Sequence, residues 1–536
     1  MGLKEQIKKN IWSPAYTHRH RKKEPKQPMI KTICLLFSAL LFQKATAQQP
    51  IAGNGHSITF KLKISEIAAL DTVAILWFPL PYVQGKTVEQ LSVFPKAPGT
   101  DGLYQQTITF PDSLVGKTIG YLYTITGNQY DIFRTFILEK NQPTERIENW
   151  GHVDGLAGKV KVSPMLFIEP DSPEEATAFA KPYTGITTNG TPIKDLFPIK
   201  KTGYSTLAIK NAVVKFTGTL TEEQKTLSVF PVNSAEWRRW HNIEQWNRAG
   251  ICLENMTPKQ KELVFDILQE SLSARGLQKA KDIMSMEAYL ATLVPRNKNL
   301  GGEKYWFTFY GTPSDTEPYG WQIEGHHLVI NYFILGDQVV MTPTFMGSEP
   351  TLVEKGDHQG LRTFGAEEKK GLDFYLSLDS AQKKEATLWN KKDMDFNRGE
   401  AFRDNEIIAT TGIAAAKLSK AQQDALLDLI AEYVNNIRDG QAKVKMTDVK
   451  LHLNETHFTW VQGDTIESPF YYRIHSPVIL IEFDHQTPVF IHDPSKPHGG
   501  PVKTHIHTVV RTPNGNDYGK DLLREHLEKH HKHKKK

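Results

Sequence analysis

The stretch from Tyr305 to Pro350, YWFTFYGTPSDTEPYGWQIEGHHLVINYFILGDQVVMTPTFMGSEP, leaves this chain little freedom. It reads as a strand over Tyr305–Tyr310, a Gly/Pro-rich turn, and a second strand. The second strand starts on Glu324-Gly325-His326-His327 and continues through the apolar run to Leu335. The turn Gly336-Asp337 then leads into a third strand, Gln338–Met341. A meander this apolar belongs in the middle of a sheet. Glu324, His326 and His327, at the mouth of its central strand, are the first candidates for chemistry.

At 536 residues the chain has room for two or more domains and a large core. The formal charge of +5 comes from the ends. Residues 1–47 hold ten Lys/Arg and two Asp/Glu, and residues 529–536 hold five Lys. The body between them is mildly acidic, which excludes nucleic acid as the main partner, because phosphate binding needs a concentrated basic face. Met29-Ile-Lys31, the apolar run Thr32–Phe42 and Ala45-Thr46-Ala47 have the three parts of a secretory signal, with cleavage expected before Gln48. The run is too short for a permanent membrane span. Residues 1–28 read as a dubious or disordered extension and 529–536 as a disordered basic tail. The expected location is periplasmic or secreted. Cleavage leaves one cysteine, Cys252, which cannot form an internal disulfide and reads as a small buried apolar residue.

Residues 50–145 read as all-β. His56–Ile64 alternates, and strand candidates follow at Val73–Leu80, Leu103–Phe110, Ile119–Ile125 and Ile132–Leu138. Turn residues separate them, so a small β-sandwich is expected, with a domain boundary near Gly151–Gly158. From 155 to 528 helices and strands mix. The expected architecture is an α+β main domain with a largely antiparallel sheet and flanking helices. Four helix starts share a capping-box pattern: Thr221/Gln224, Thr257/Gln260, Asp379/Gln382 and Ser419/Gln422. These similar caps read as a local solution, and no internal repeat is legible. Trp237-Arg-Arg-Trp-His241 and Trp246 form a basic-aromatic cluster, expected to pack against the first helix.

The chemistry concentrates in two short pairs. His505 and His507 stand two apart in THIHTVV, and on a strand i and i+2 share a face. Glu324 and His326 stand in the same relation. Brought together, the pairs give three imidazoles and a carboxylate, an acceptable ligand set for Zn, Fe or Mn as a divalent ion. The plain alternative is a polar patch at strand ends. By the same alternation His327 faces away from His326, and a site built on His327 would be metal-free acid–base chemistry instead. Arg511, on the His505/His507 face, is a candidate anion holder. Asp517 is a candidate ligand or base, or else an Asx turn capping the helix after it. Glu482, a carboxylate in an apolar strand, needs a partner, and Arg473 is the candidate. The chain has no Gly-x-Ser-x-Gly elbow, phosphate loop, dinucleotide fingerprint or His-Glu-x-x-His.

WRRWHN (237–242), FYGTPS (309–314), WQIEGHHLVINY (321–332), TPTFMGSEP (342–350), PFYYRIHSPVILIEFDH (469–485) and HIHTVVRTPNGNDYGKDLLREH (505–526) together resemble the bacterial family catalogued as domain of unknown function 3500. The resemblance covers about residues 155–530 and implies a usually secreted family without an assigned activity. The N-terminal sandwich lies outside it and resembles early-set, immunoglobulin-like accessory modules in pattern alone. The reading is therefore a metal-dependent hydrolase using Glu324, His326, His505 and His507. The alternatives are a glycan- or peptide-binding protein without catalysis, or an acid–base enzyme using His327. The substrate is an unknown small molecule, glycan or peptide.

Overall fold

The computed structural model describes residues 55–63, 73–79, 90–94, 104–125, 129–130, 134–140 and 145–149, and then 181–530 except 245–247, 398–402, 464 and 492–499. The expected signal segment, the extension before it, the boundary near Gly151–Gly158 and residues 531–536 of the tail lie outside these. No helix among the described residues is long and apolar enough to cross a membrane.

The first unit is all-β. Its strands are β1 (Gly55–Lys63), β2 (Val73–Pro79), β3 (Gln90–Val93), β4 (Tyr104–Pro111), β5 (Thr118–Ile125), β6 (Gln129–Tyr130), β7 (Arg134–Ile137) and β8 (Glu145–Asn149). They form one sheet ordered β4-β1-β8 and another ordered β3-β2-β5-β6, with β7 also on β5. The alternation seen in the sequence sends Ile58, Phe60 and Leu62 into a core shared with Ile75, Trp77, Phe110 and Tyr121. Trp77 is thus packed inside.

The second unit carries nine helices among the described residues and a thirteen-stranded mixed sheet. Its elements are α1 (Leu207–Thr217), α2 (Glu222–Ser228), β9 (Val229–Phe230), β10 (Ile251–Cys252), α3 (Pro258–Ser271), α4 (Ala274–Leu293), β11 (Tyr305–Tyr310), β12 (Tyr319–Gly325), β13 (Leu328–Leu335), β14 (Gln338–Val340) and β15 (Thr344–Ser348). There follow α5 (Gly365–Leu376), α6 (Ser380–Ala386), β16 (Thr387–Trp389), β17 (Ile413–Ala414), α7 (Lys420–Val434), α8 (Asp439–Leu451), β18 (His457–Gln462), β19 (Phe470–His475), β20 (Leu480–His485), β21 (Ile506–Arg511) and α9 (Lys520–His530). β9 and β16 pair in parallel with β11 and β18, and the other pairings of this sheet are antiparallel.

This unit is duplicated, which corrects the reading that no internal repeat exists. The run β11-β12-β13-β15 is mirrored by β18-β19-β20-β21, β11 and β18 each carry one short parallel strand (β9, β16) and one short antiparallel strand (β10, β17), and the central pair β15–β21 is antiparallel. The series α1-α2-β9-β10-α3-α4-β11-β12-β13-β15 recurs as α5-α6-β16-β17-α7-α8-β18-β19-β20-β21, with β14 an addition to the first half. All four expected capping boxes form, at the starts of α2 and α3 and again of α6 and α7. Their glutamines also meet in pairs. Gln260 Nε2 donates to Gln224 Oε1 at 3.0 Å, and Gln382 Nε2 to Gln422 Oε1 at 3.0 Å. Ile323–Tyr332 (IEGHHLVINY) corresponds to Ile474–Phe483 (IHSPVILIEF), a likeness too worn to stand out from ordinary strand patterning.

The sheet has two unlike faces. Phe307, Trp321, Ile330, Met346, Ile506, Ile481 and Tyr472 share one core with the inner sides of α3 and α7. On the other face the alternation places Gln322, Glu324, Asn331, His507, Arg511, Glu482 and Arg473. These are buried too, so each needs a polar partner from the segments that cover them.

The second expected strand needs revision. β12 ends on Gly325 and β13 begins at Leu328, and these two residues pair across the ladder. His326 and His327 are the two-residue hairpin between them, with His327 in the left-handed region at φ 63°. No Gly or Asn marks the turn, so the histidines read as strand.

Candidate functional site

The hairpin changes which histidine faces the chemistry. Strand alternation does not act across a tight turn, so His326 and His327 do not point apart. Their rings stack with centroids 3.7 Å apart. Glu287, on the inner side of α4, receives both: His326 Nδ1 at 2.7 Å from Oε1 and His327 Nδ1 at 3.4 Å from Oε2.

On the far side of β15 stand His505 and His507. Their Nε2 atoms are 3.0 Å apart, and Asn242 Nδ2 stands 3.5 Å from that of His507. His505 Nδ1 lies 2.8 Å from the Thr487 carbonyl and 3.6 Å from Glu349 Oε2. Glu349 is held by the backbone N–H groups of Val489, Phe490 and Ile491. Between the two strand ends lies Gly347, paired with His507 across the ladder. A Cβ there would stand 2.8 Å from Cδ2 of both His327 and His507. Glycine is what lets the rings close over the strand.

Two groups of the described residues can hold a metal ion: His327 with His505 and His507, and Glu287 with His326 and His327. In each, one ligand atom per residue lies within 4.8 Å of the others. Zn–N bonds of 2.0–2.1 Å put tetrahedral nitrogens about 3.3 Å apart, close to the 3.0 Å between the His505 and His507 Nε2 atoms. His327 Nε2 is buried and has no hydrogen-bond partner among the described residues, while its Nδ1 is taken by Glu287. A ring nitrogen tied to a carboxylate or carbonyl behind, with the other left open, is the arrangement that orients metal-ligating histidines. Burial, joined for His327 by the neighbouring His326, lowers His326 to about 4 and His327 to about 3. Both are therefore neutral near pH 7, the form that ligates.

The other candidates lie elsewhere. Glu324 does not join the histidines: its Oε1 accepts the His241 N–H at 2.9 Å and pairs with Arg248 Nε at 3.2 Å. Burial pushes it up to about 8, against the pull of Arg248. His326 turns to Glu287, so the expected set of Glu324, His326, His505 and His507 is replaced by His327, His505 and His507. Arg511 shares the strand face of His507 but is fully buried beside Asp517, Nη1 to Oδ2 3.5 Å, under the Trp240 ring. Asp517 Oδ1 accepts the Thr512 N–H at 2.7 Å, which ties the loop back to β21. Burial raises it to about 6. The N–H of Leu522 is met by Asn516 instead, so Asp517 is not the helix cap. Glu482 faces Arg473 across the β19–β20 ladder and accepts from the Tyr471 hydroxyl at 2.7 Å. Trp237 stacks on Tyr310 at 3.7 Å, and Trp240 donates to the Tyr518 hydroxyl. Trp237 and Trp240 thus cover the polar face of the sheet and do not pack on the first helix, and Trp246 lies outside the described residues. Cys252 is buried, its thiol raised to about 11 by desolvation.

Glu287 and Glu349 escaped the sequence reading. Glu287 carried a signal: a carboxylate among Ile283, Met284, Met286 and Leu290, on the buried stripe of its helix. Glu349 carried none.

No curated protein and no solved structure matches the chain. Residues 202–520 match the model of the family described as protein of unknown function (DUF3500), and since that match spans more than half of the 536 residues, the chain belongs to this family.

Proposed function

We propose that this chain is an exported metal-dependent hydrolase whose ion is held by His327, His505 and His507. The observation that carries the proposal is the clustering of three buried imidazoles, one nitrogen of each within 4.8 Å of the others, with His327 Nε2 left without another partner among the described residues. A Zn, Fe or Mn ion with an open position would supply a Lewis acid and an activated water. The protein's own part is to orient the rings. Glu287 and the Thr487 carbonyl fix the rings of His327 and His505 through their Nδ1 atoms. His326, its Nδ1 2.7 Å from Glu287 Oε1, stacks on His327 and steadies that ring beside the centre, itself neutral near pH 7. The substrate is a small molecule, glycan or peptide. We read the N-terminal sheets as an accessory β-sandwich.

A metal-free mechanism centred on His327 is weaker, because burial holds that ring too far below neutrality to exchange protons near pH 7. Elemental analysis of the protein beside a His505→Ala/His507→Ala variant tests the reading. The expected result is about one equivalent of Zn, Fe or Mn, lost in a variant that keeps its circular dichroism spectrum. Equal metal in both folded proteins, or none in either, overturns it and leaves simple binding as the function.

A further inference from the structure

A cavity lies on the other face of the same central strands. It measures about 100 Å³ and sits where the two duplicated halves meet. Thr344, Met346 and Val510 form its floor, and Val434, Ile437 and Val444 come from the α7–α8 side. Thr344 and Val510 pair across β15 and β21, on the line relating the halves. Side chains alternate along these strands, so Met346 and Thr508 face this cavity while Gly347 and His507 face the histidine centre. The two sites are back to back and share no residue.

Three lysines line the cavity, and they differ in one respect. Lys279 is paired with Glu367, and Lys200 with Asp448 at 3.2 Å. Lys445 has no carboxylate partner. Its Nζ donates to the Val478 carbonyl at 2.7 Å and the Thr512 hydroxyl at 3.4 Å, and these are its partners among the described residues. Burial lowers Lys445 to about 8, against the opposing pull of Asp448 and Asp517 from further off. An ammonium in a largely apolar wall, still mostly charged at pH 7 and with one proton unclaimed, is an unfinished ion pair.

We propose that this cavity is a binding site for a small aliphatic carboxylate, its acid group on Lys445 and its chain along Met346, Val510 and Val444. Pockets of this kind form where repeats or domains meet, with apolar walls and a few placed polar groups. The volume takes roughly seven to ten water-sized groups, which corresponds to an acid of about six carbons. The site is independent of the metal reading, since no ligand of the histidine centre lines it.

The test is isothermal titration of the full-length protein with butyrate, hexanoate and octanoate, each beside the primary alcohol of the same length. Saturable binding of hexanoate, tighter than hexanol by about tenfold or more, is expected from a charge-assisted contact. A Lys445→Gln variant keeps a donor for the Val478 carbonyl but removes the charge. It should bind acid and alcohol alike while its metal content stays unchanged. Should that variant fail to fold, the acid-against-alcohol comparison on the unaltered protein decides alone. No saturable binding of any acid, equal affinity for acid and alcohol, or undiminished acid binding by folded Lys445→Gln overturns the proposal.

Discussion

Gly347 sets how closely the histidines approach. A methyl group there meets Cδ2 of His327 and of His507 at 2.8 Å, closer than carbon atoms pack. The rings cannot both retreat, because His327 is held by Glu287 and His507 belongs to a central strand. Gly347→Ala should therefore cost about 1–3 kcal/mol and also lower metal occupancy, read by thermal melting and elemental analysis. An unchanged melt with full metal would show that the rings stand further from the strand than described. Glu287 acts on the same centre from behind. Glu287→Gln keeps the shape but weakens the hold on His327 Nδ1. Metal affinity should fall by about 10- to 100-fold in a chelator competition, the usual cost of losing such a ring-orienting carboxylate. If affinity does not change, Glu287 serves only to fill α4's buried stripe.

At the scale of elements, the capping boxes do two things at once. In each box the short oxygen meets the N3 amide and the glutamine returns to the cap residue's own N–H. The same glutamines then join helix to helix: Gln422 Nε2 also donates to Gln382 Oε1 at 2.8 Å and to the Ser377 carbonyl at 2.9 Å. Losing one glutamine therefore removes a cap and a bridge together. Gln382→Ala and Gln422→Ala should each cost about 1 kcal/mol, and the double variant less than their sum, by roughly 0.5–1.5 kcal/mol. Additive losses in a denaturant-based double-mutant cycle would mean that the bridge contributes nothing. The same pairing of Gln224 with Gln260 in the first half shows why four similar caps recur: they mark equivalent corners of a duplicated unit.

At the scale of the whole molecule, the histidine centre draws on both halves. His327, Glu287 and Glu349 come from the first and His505 and His507 from the second. The second half's matching hairpin has Pro477-Val478 where the first has His326-His327, so the duplication yields one centre and not two. The exposed stretch from Glu354 to Gly360 joins the halves. A protease site inserted there should be cut without loss of metal, because β15 and β21 remain paired and the buried sheet persists. Metal should be released when denaturant separates the fragments, and each fragment alone should aggregate through its bared strand edge. A single purified fragment that keeps the metal would contradict a shared centre.

The sequence by itself determined the local pieces. Period-2 patterning placed most strands of the first unit, the meander's strands apart from β12 were legible in the second, the Ser/Thr/Asp-x-x-Gln pattern placed four helix starts, and His505-x-His507 put two imidazoles on one strand face. These depend on neighbours within a few residues, where backbone geometry alone sets direction. Tertiary structure decided the rest. It made His326-His327 a hairpin, so that His327 and not His326 meets the pair across β15. It committed Glu324 to Arg248, 76 positions earlier, and Arg511 to Asp517. It supplied Glu287 from a helix and Glu349 from beyond a neighbouring strand. Which carboxylate compensates which buried charge depends on what packing brings within about 4 Å, and neither periodicity nor spacing along the chain encodes that distance.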